Sequence, residues 1–161
     1  MGIQILTQQL AELLLARGWQ LATAESCTGG GIAAALTDLA GSSQWFDRGF
    51  VTYSNQAKQD MLGVSAATLD SEGAVSEATV REMVAGALAH SAAQVAVAVS
   101  GIAGPSGGTV EKPVGTVCLA WQVTGGKPVV RTVHFDGDRA AVRKQTVACA
   151  LQGVLDVLDA D

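Results

Sequence analysis

At 161 residues and 48% hydrophobic content, the chain can close an apolar core without disulfide or metal staples, and one domain over residues 1–161 is expected. Aromatics are only 4%, which suits helices packed closely on a sheet better than an aromatic-rich β-sandwich. A net charge of −5 with scattered basic residues lacks the Lys/Arg face that a phosphate backbone demands, so no nucleic-acid partner is expected.

The chain opens with apolar residues at Ile3, Leu6, Leu10, Leu13 and Leu14, a helical spacing that Gly18 stops. This segment has neither a basic leader nor a cleavage site, and no apolar run is long enough for a membrane span, so neither export nor membrane attachment is expected. Residues 19–24 form a short β-like run that leads through Glu25-Ser26-Cys27-Thr28-Gly29-Gly30-Gly31 into an alanine-rich helix at 32–39. A second β-like run at 49–53 precedes a helical segment, 55–62, that carries Lys58 near its start and stops at Gly63. Ser76 is placed to cap a helix running to about His90, and 95–99 reads as a buried strand followed by a second glycine loop, 101–108. Two further strands, 114–123 and 129–135, are joined by the turn residues 124–128, and a last helix covers 139–158. The expected fold is therefore α/β, three layers with helices on both faces of a mixed, mostly parallel five-stranded sheet.

Cys27, Cys118 and Cys149 share no CxxC or Cys/His spacing, so no disulfide framework and no metal site is expected and the compartment reads as a reducing cytoplasm. No cofactor is called for. Ser26 lies where a strand gives way to a glycine-rich helix start, a place with unpaired N–H groups and a dipole that favours negative charge. Such a serine is either a helix cap or a nucleophile. Neither histidine, His90 or His134, has the setting of a catalytic base, which leaves lysine, workable when burial keeps the amine neutral. Lys58 is the candidate, with Tyr53 five residues before it. The 101–108 loop could cradle a phosphate on its N–H groups, with hydroxyls from Ser100, Ser106 and Thr109, although it lacks the Walker pattern.

The stretches Thr23-Ala24-Glu25-Ser26-Cys27-Thr28-Gly29-Gly30, Tyr53-Ser54-Asn55 with Lys58, Gly73-Ala74-Val75-Ser76, and Ser100-Gly101-Ile102-Ala103-Gly104-Pro105 with Glu111-Lys112-Pro113-Val114-Gly115 resemble the CinA C-terminal domain family. The resemblance runs over nearly the whole chain. That family includes stand-alone nicotinamide-nucleotide amidohydrolases, so the resemblance implies hydrolysis of nicotinamide mononucleotide to nicotinate mononucleotide and ammonia in pyridine-nucleotide recycling. It places the catalytic serine, tyrosine and lysine on Ser26, Tyr53 and Lys58. The substrate pocket falls on Ser100, Gly101, Ala103 and Gly104, with Ser100 standing where the family pattern has threonine. One of Arg139 and Arg143, which begin the last helix in a pattern that also resembles the family, is the expected phosphate ligand, because arginine there opposes the helix dipole and needs another partner; the alternative is a solvent-facing helix start. N–H groups around Thr28, Gly29 and Gly30 are the expected oxyanion donors. The rival expectation is a non-catalytic nucleotide-binding or interaction module, since a fold does not guarantee an activity. A homo-oligomer is left open.

Overall fold

The computed structural model describes residues 2–161. Its sheet has the order β2-β1-β3-β4-β5. The strands are β1 (Leu21–Glu25), β2 (Phe46–Val51), β3 (Val95–Gly101), β4 (Thr116–Val123) and β5 (Val129–His134). β1 runs parallel to both β2 and β3, and β4 and β5 complete the sheet as an antiparallel hairpin. Among the described residues six α-helices surround it: α1 (Ile3–Arg17), α2 (Gly31–Thr37), α3 (Asn55–Leu62), α4 (Ala66–Glu72), α5 (Glu77–Ala89) and α6 (Arg139–Ala160). Among the described residues no helix is long and apolar enough to cross a membrane.

The three central strands are largely apolar in sequence, and their apolar residues alternate in size. Leu21, Val95, Val97, Val99, Val117, Leu119 and Trp121 point to one face, where they pack with α1, α2 and α6. Ala22, Ala24, Ala96, Ala98, Cys118 and Ala120 point to the other, under α3, α4 and α5. The alanine face lets α5 lie close to the sheet, with Val80, Met83, Val84 and Ala87 fully buried against it. Gly86 extends this closeness to the neighbouring helix end: a Cβ there would stand 2.0 Å from the Leu62 carbonyl oxygen, so the tail of α3 rests directly on α5.

Local chemistry sets the element ends. Gly18 takes a left-handed conformation and its N–H closes on the Leu14 and Leu15 carbonyls, ending α1. Ser54 Oγ accepts from Ala57 N to start α3, Ser76 Oγ from Thr79 N to start α5, and Asp138 Oδ1 from Ala141 N to start α6. Several elements depart from the sequence expectation, two boundaries and one helix most clearly. β2 begins at Phe46 rather than Gly49 and ends at Val51; it is an edge strand whose polar start is held by Asp47, which accepts from Ala92 N and from the exposed Arg48. α2 stops at Thr37, two residues early, where the threonine hydroxyl turns back to the Ala33 carbonyl. The short α4, which buries only Leu69, was not anticipated at all.

Candidate active site

β1, β2 and β3 end side by side, and a cleft of about 290 Å3 opens over their carboxyl ends. That is where ligands bind in open α/β sheets, and the volume is near the lower limit of about 300–1,000 Å3 for small-molecule sites. Ser26 enters it from the turn after β1, Tyr53 from the segment after β2, Lys58 from α3, and Ser100 and Gly101 from the end of β3. Loop residues Ala103 and Gly104 complete that wall, and Arg139 reaches in from the first turn of α6.

At the floor of the cleft, Lys58 Nζ stands 3.1 Å from Ser26 Oγ. The lysine is 1% exposed, and its nitrogen also donates to the Thr52 carbonyl at 2.9 Å and the Tyr53 carbonyl at 3.2 Å. No carboxylate pairs with it among the described residues. Burial accordingly holds its ammonium below the ordinary lysine range. Cys27 also lines the cleft, but burial pushes its thiol up to about 11, so at neutral pH it is a protonated, weak nucleophile beside the serine. Both histidines are spent on main-chain carbonyls elsewhere: His90 Nδ1 lies 2.8 Å from the Gly86 oxygen and His134 Nε2 2.8 Å from that of Val114. Lysine is thus the base-capable group beside Ser26.

The turn after β1 is held from inside by Glu25, itself 1% exposed. Its Oε1 accepts from the Thr28 hydroxyl and from Ile32 N at 2.8 Å, and its Oε2 accepts from Ala33 N at 3.0 Å. The carboxylate thereby caps α2, a task its N-cap residue Gly30 has no side chain to perform. This corrects part of the sequence expectation. Thr28, Gly29 and Gly30 do not line the cleft, and the Gly29 N–H is taken by the Ser26 carbonyl at 3.0 Å, so it is not free for an oxyanion.

The two arginines also part company. Arg139 lines the cleft, donating to the Gly104 carbonyl at 2.8 Å and to the Tyr53 hydroxyl at 3.1 Å. Arg143 does not; its guanidinium bonds the Cys27 and Thr28 carbonyls behind the turn. Tyr53 is 61% exposed, and its hydroxyl sits on Arg139 at the rim rather than on Ser26 or Lys58. Asn55, Ala74 and Val75, which no sequence expectation assigned to the site, also line the cleft. Their presence in the Tyr53-Ser54-Asn55 and Gly73-Ala74-Val75-Ser76 stretches was the available signal.

Fold and site together define an α/β protein with a buried serine–lysine pair at the switch from strand ends to loops. The chain belongs to the CinA family, whose C-terminal domain model matches residues 3–158. It is 56% identical over 147 residues to the nicotinamide-nucleotide amidohydrolase PncC of Escherichia coli (strain K12), covering 91% of this chain and 89% of that protein. It is 53% identical over 155 residues to the protein of the same name from Pseudomonas putida, covering 96% of each. The crystal structure of the competence/damage inducible protein CihA from Agrobacterium tumefaciens matches it with a TM-score of 0.93 at 49% identity, covering 98% of this chain and 95% of that one.

Proposed function

We propose that this protein is a nicotinamide-nucleotide amidohydrolase, converting nicotinamide mononucleotide and water to nicotinate mononucleotide and ammonia in cytoplasmic pyridine-nucleotide recycling. The similarity to proteins bearing that name supports the substrate, and one observation carries the mechanism. The Lys58 nitrogen has three polar neighbours: two carbonyls, which can only accept, and the Ser26 hydroxyl. A neutral amine has two N–H donors and one lone pair, so it satisfies both carbonyls and still accepts the serine proton.

Ser26 Oγ attacks the carboxamide carbon while its proton passes to Lys58. The resulting ammonium returns a proton to the departing amide nitrogen, which leaves as ammonia, and an ester to Ser26 remains. Water, deprotonated in turn by Lys58, attacks that ester and releases the carboxylate with Ser26 restored. Arg139 and the 101–108 loop, which contribute to the same cleft as Lys58, take the phosphate, and Tyr53 orients Arg139 through its hydroxyl. A module that merely bound a nucleotide would gain nothing from burying a lysine without a counter-ion, which favours catalysis over that rival.

The test is ammonia release from nicotinamide mononucleotide by wild type and by Ser26→Ala. The variant should lose turnover on the order of 10^4-fold or more while binding the mononucleotide within a few fold of wild type. Hydroxylamine should divert the wild-type reaction to a hydroxamate. Retained ammonia release by Ser26→Ala would end this reading.

A further inference from the structure

Arg143 projects from the second turn of α6 toward the back of the nucleophile turn. Its Nε donates to the Cys27 carbonyl at 3.1 Å and its Nη2 to the Thr28 carbonyl at 3.0 Å. The side chain is half-buried, lies outside the cleft, and has no carboxylate partner among the described residues. A guanidinium taken partly out of water is therefore committed to the main chain of the two residues that follow Ser26. Glu25 grips the same turn from the other side through the Thr28 hydroxyl and the first N–H groups of α2.

The peptide geometry gives this grip a consequence. In a trans peptide the C=O and N–H point in opposite directions, so fixing the Cys27 and Thr28 carbonyls on Arg143 fixes the directions of the Thr28 and Gly29 N–H groups. The Gly29 N–H then closes the turn on the Ser26 carbonyl. A charge-assisted bond to a carbonyl also polarises its peptide and strengthens the N–H at the far end as a donor.

We infer that Arg143 is a positioning residue for the Ser26 reaction, holding and polarising the turn that presents the nucleophile, and that it does not bind the substrate's phosphate. The inference rests on the proposed role of Ser26. It is tested with Arg143→Gln and Arg143→Ala, with Arg139→Ala alongside, by three measurements: kcat and KM for nicotinamide mononucleotide, the rate of serine labelling by a fluorophosphonate, and thermal midpoint. In the Arg143 variants kcat and labelling should both fall about 10- to 100-fold, the scale of a misplaced reacting group, with KM held within about threefold. Methylguanidinium added to Arg143→Ala should restore part of both rates. If Arg143→Gln and Arg143→Ala do not fold, Arg143→Lys carries the test, since it keeps the charge but lacks the planar fork that spans two carbonyls.

A KM that rises tenfold at unchanged kcat would make Arg143 a substrate ligand and overturn the inference. So would labelling at the wild-type rate, or a loss of kcat that tracks the thermal midpoint and resists methylguanidinium. Wild type that neither labels nor releases ammonia would remove the proposed function along with it, whereas active, labelled wild type with unaffected variants would remove this inference alone.

Discussion

Cys27 and Lys58 are buried in the same cleft floor with their proton affinities moved in ways that oppose each other in alkaline solution. The Cys27 thiol, raised by burial from 9.0 to about 11, keeps its proton in the folded chain after the unfolded chain has lost it. Between those two values the folded state binds more protons, so this group makes stability fall as pH rises, by about 2.7 kcal/mol over the two units at about 1.36 kcal/mol each. Lys58 is lowered by burial, so it loses its proton in the folded chain first. From its depressed value up to the unfolded value of about 10.4 the unfolded state binds more protons, and this group makes stability rise with pH. Where the windows overlap, the two oppose each other in wild type. Lys58→Met removes only the rising contribution and should expose the fall. Urea unfolding followed by the fluorescence of the buried Trp45 and Trp121, from about pH 8 to about pH 10.5, measures this directly. The wild-type stability minus that of the variant should rise with pH, at up to about 1.4 kcal/mol per unit. Parallel curves for the two proteins would mean that Lys58 titrates in the fold as it does unfolded, and the neutral-amine mechanism would fall with that result.

Lys58→Arg should be inactive in ammonia release even at about pH 9, because guanidinium stays charged there; a near-normal rate would reduce Lys58 to a fixed charge. Wild-type activity should rise with pH through an apparent pKa below about 10.4, read from kcat/KM profiles. Arg139→Ala should raise KM for nicotinamide mononucleotide at least about tenfold and leave any reaction of the riboside unchanged, and equal effects on both would move the phosphate site away from α6. Gly86→Ala should cost about 1–3 kcal/mol in a denaturation curve, since its methyl meets the Leu62 carbonyl, and should slow turnover by shifting α3 and Lys58; an unchanged midpoint would refute the close packing.

The helices that were easiest to anticipate carry their own stop and start signals, such as Gly18 after α1 and Ser76 before α5. α4 has one buried residue and therefore no periodicity to read, and β2 hides behind its charged pair Asp47 and Arg48. The division of the sheet into a large face and an alanine face was equally invisible, because both sizes register as hydrophobic. Within the cleft, composition and spacing alone left Lys58 looking like any solvated helix lysine. Its burial depends on the Thr52 and Tyr53 carbonyls, which become partners only after the chain turns at the end of β2. The difference between Arg139 and Arg143 lies further out of reach. Both start the same helix, and only the folded chain shows which of them meets Tyr53 and which meets carbonyls 115 and 116 positions earlier.

Because β4 runs antiparallel to β3, the hairpin turn after Val123 opens at the end of the sheet away from the cleft. Gly125 there has open space around its Cβ position, and Gly126 donates only to the local Val123 carbonyl. Ser26 and Lys58 both come from the first half of the chain, Ser26 from the turn after β1 and Lys58 from α3 beyond β2, and this hairpin pairs with neither of those strands. The turn is thus a natural port: an epitope, a fluorophore or an inserted domain could be spliced between β4 and β5 while the serine and the lysine keep their spacing.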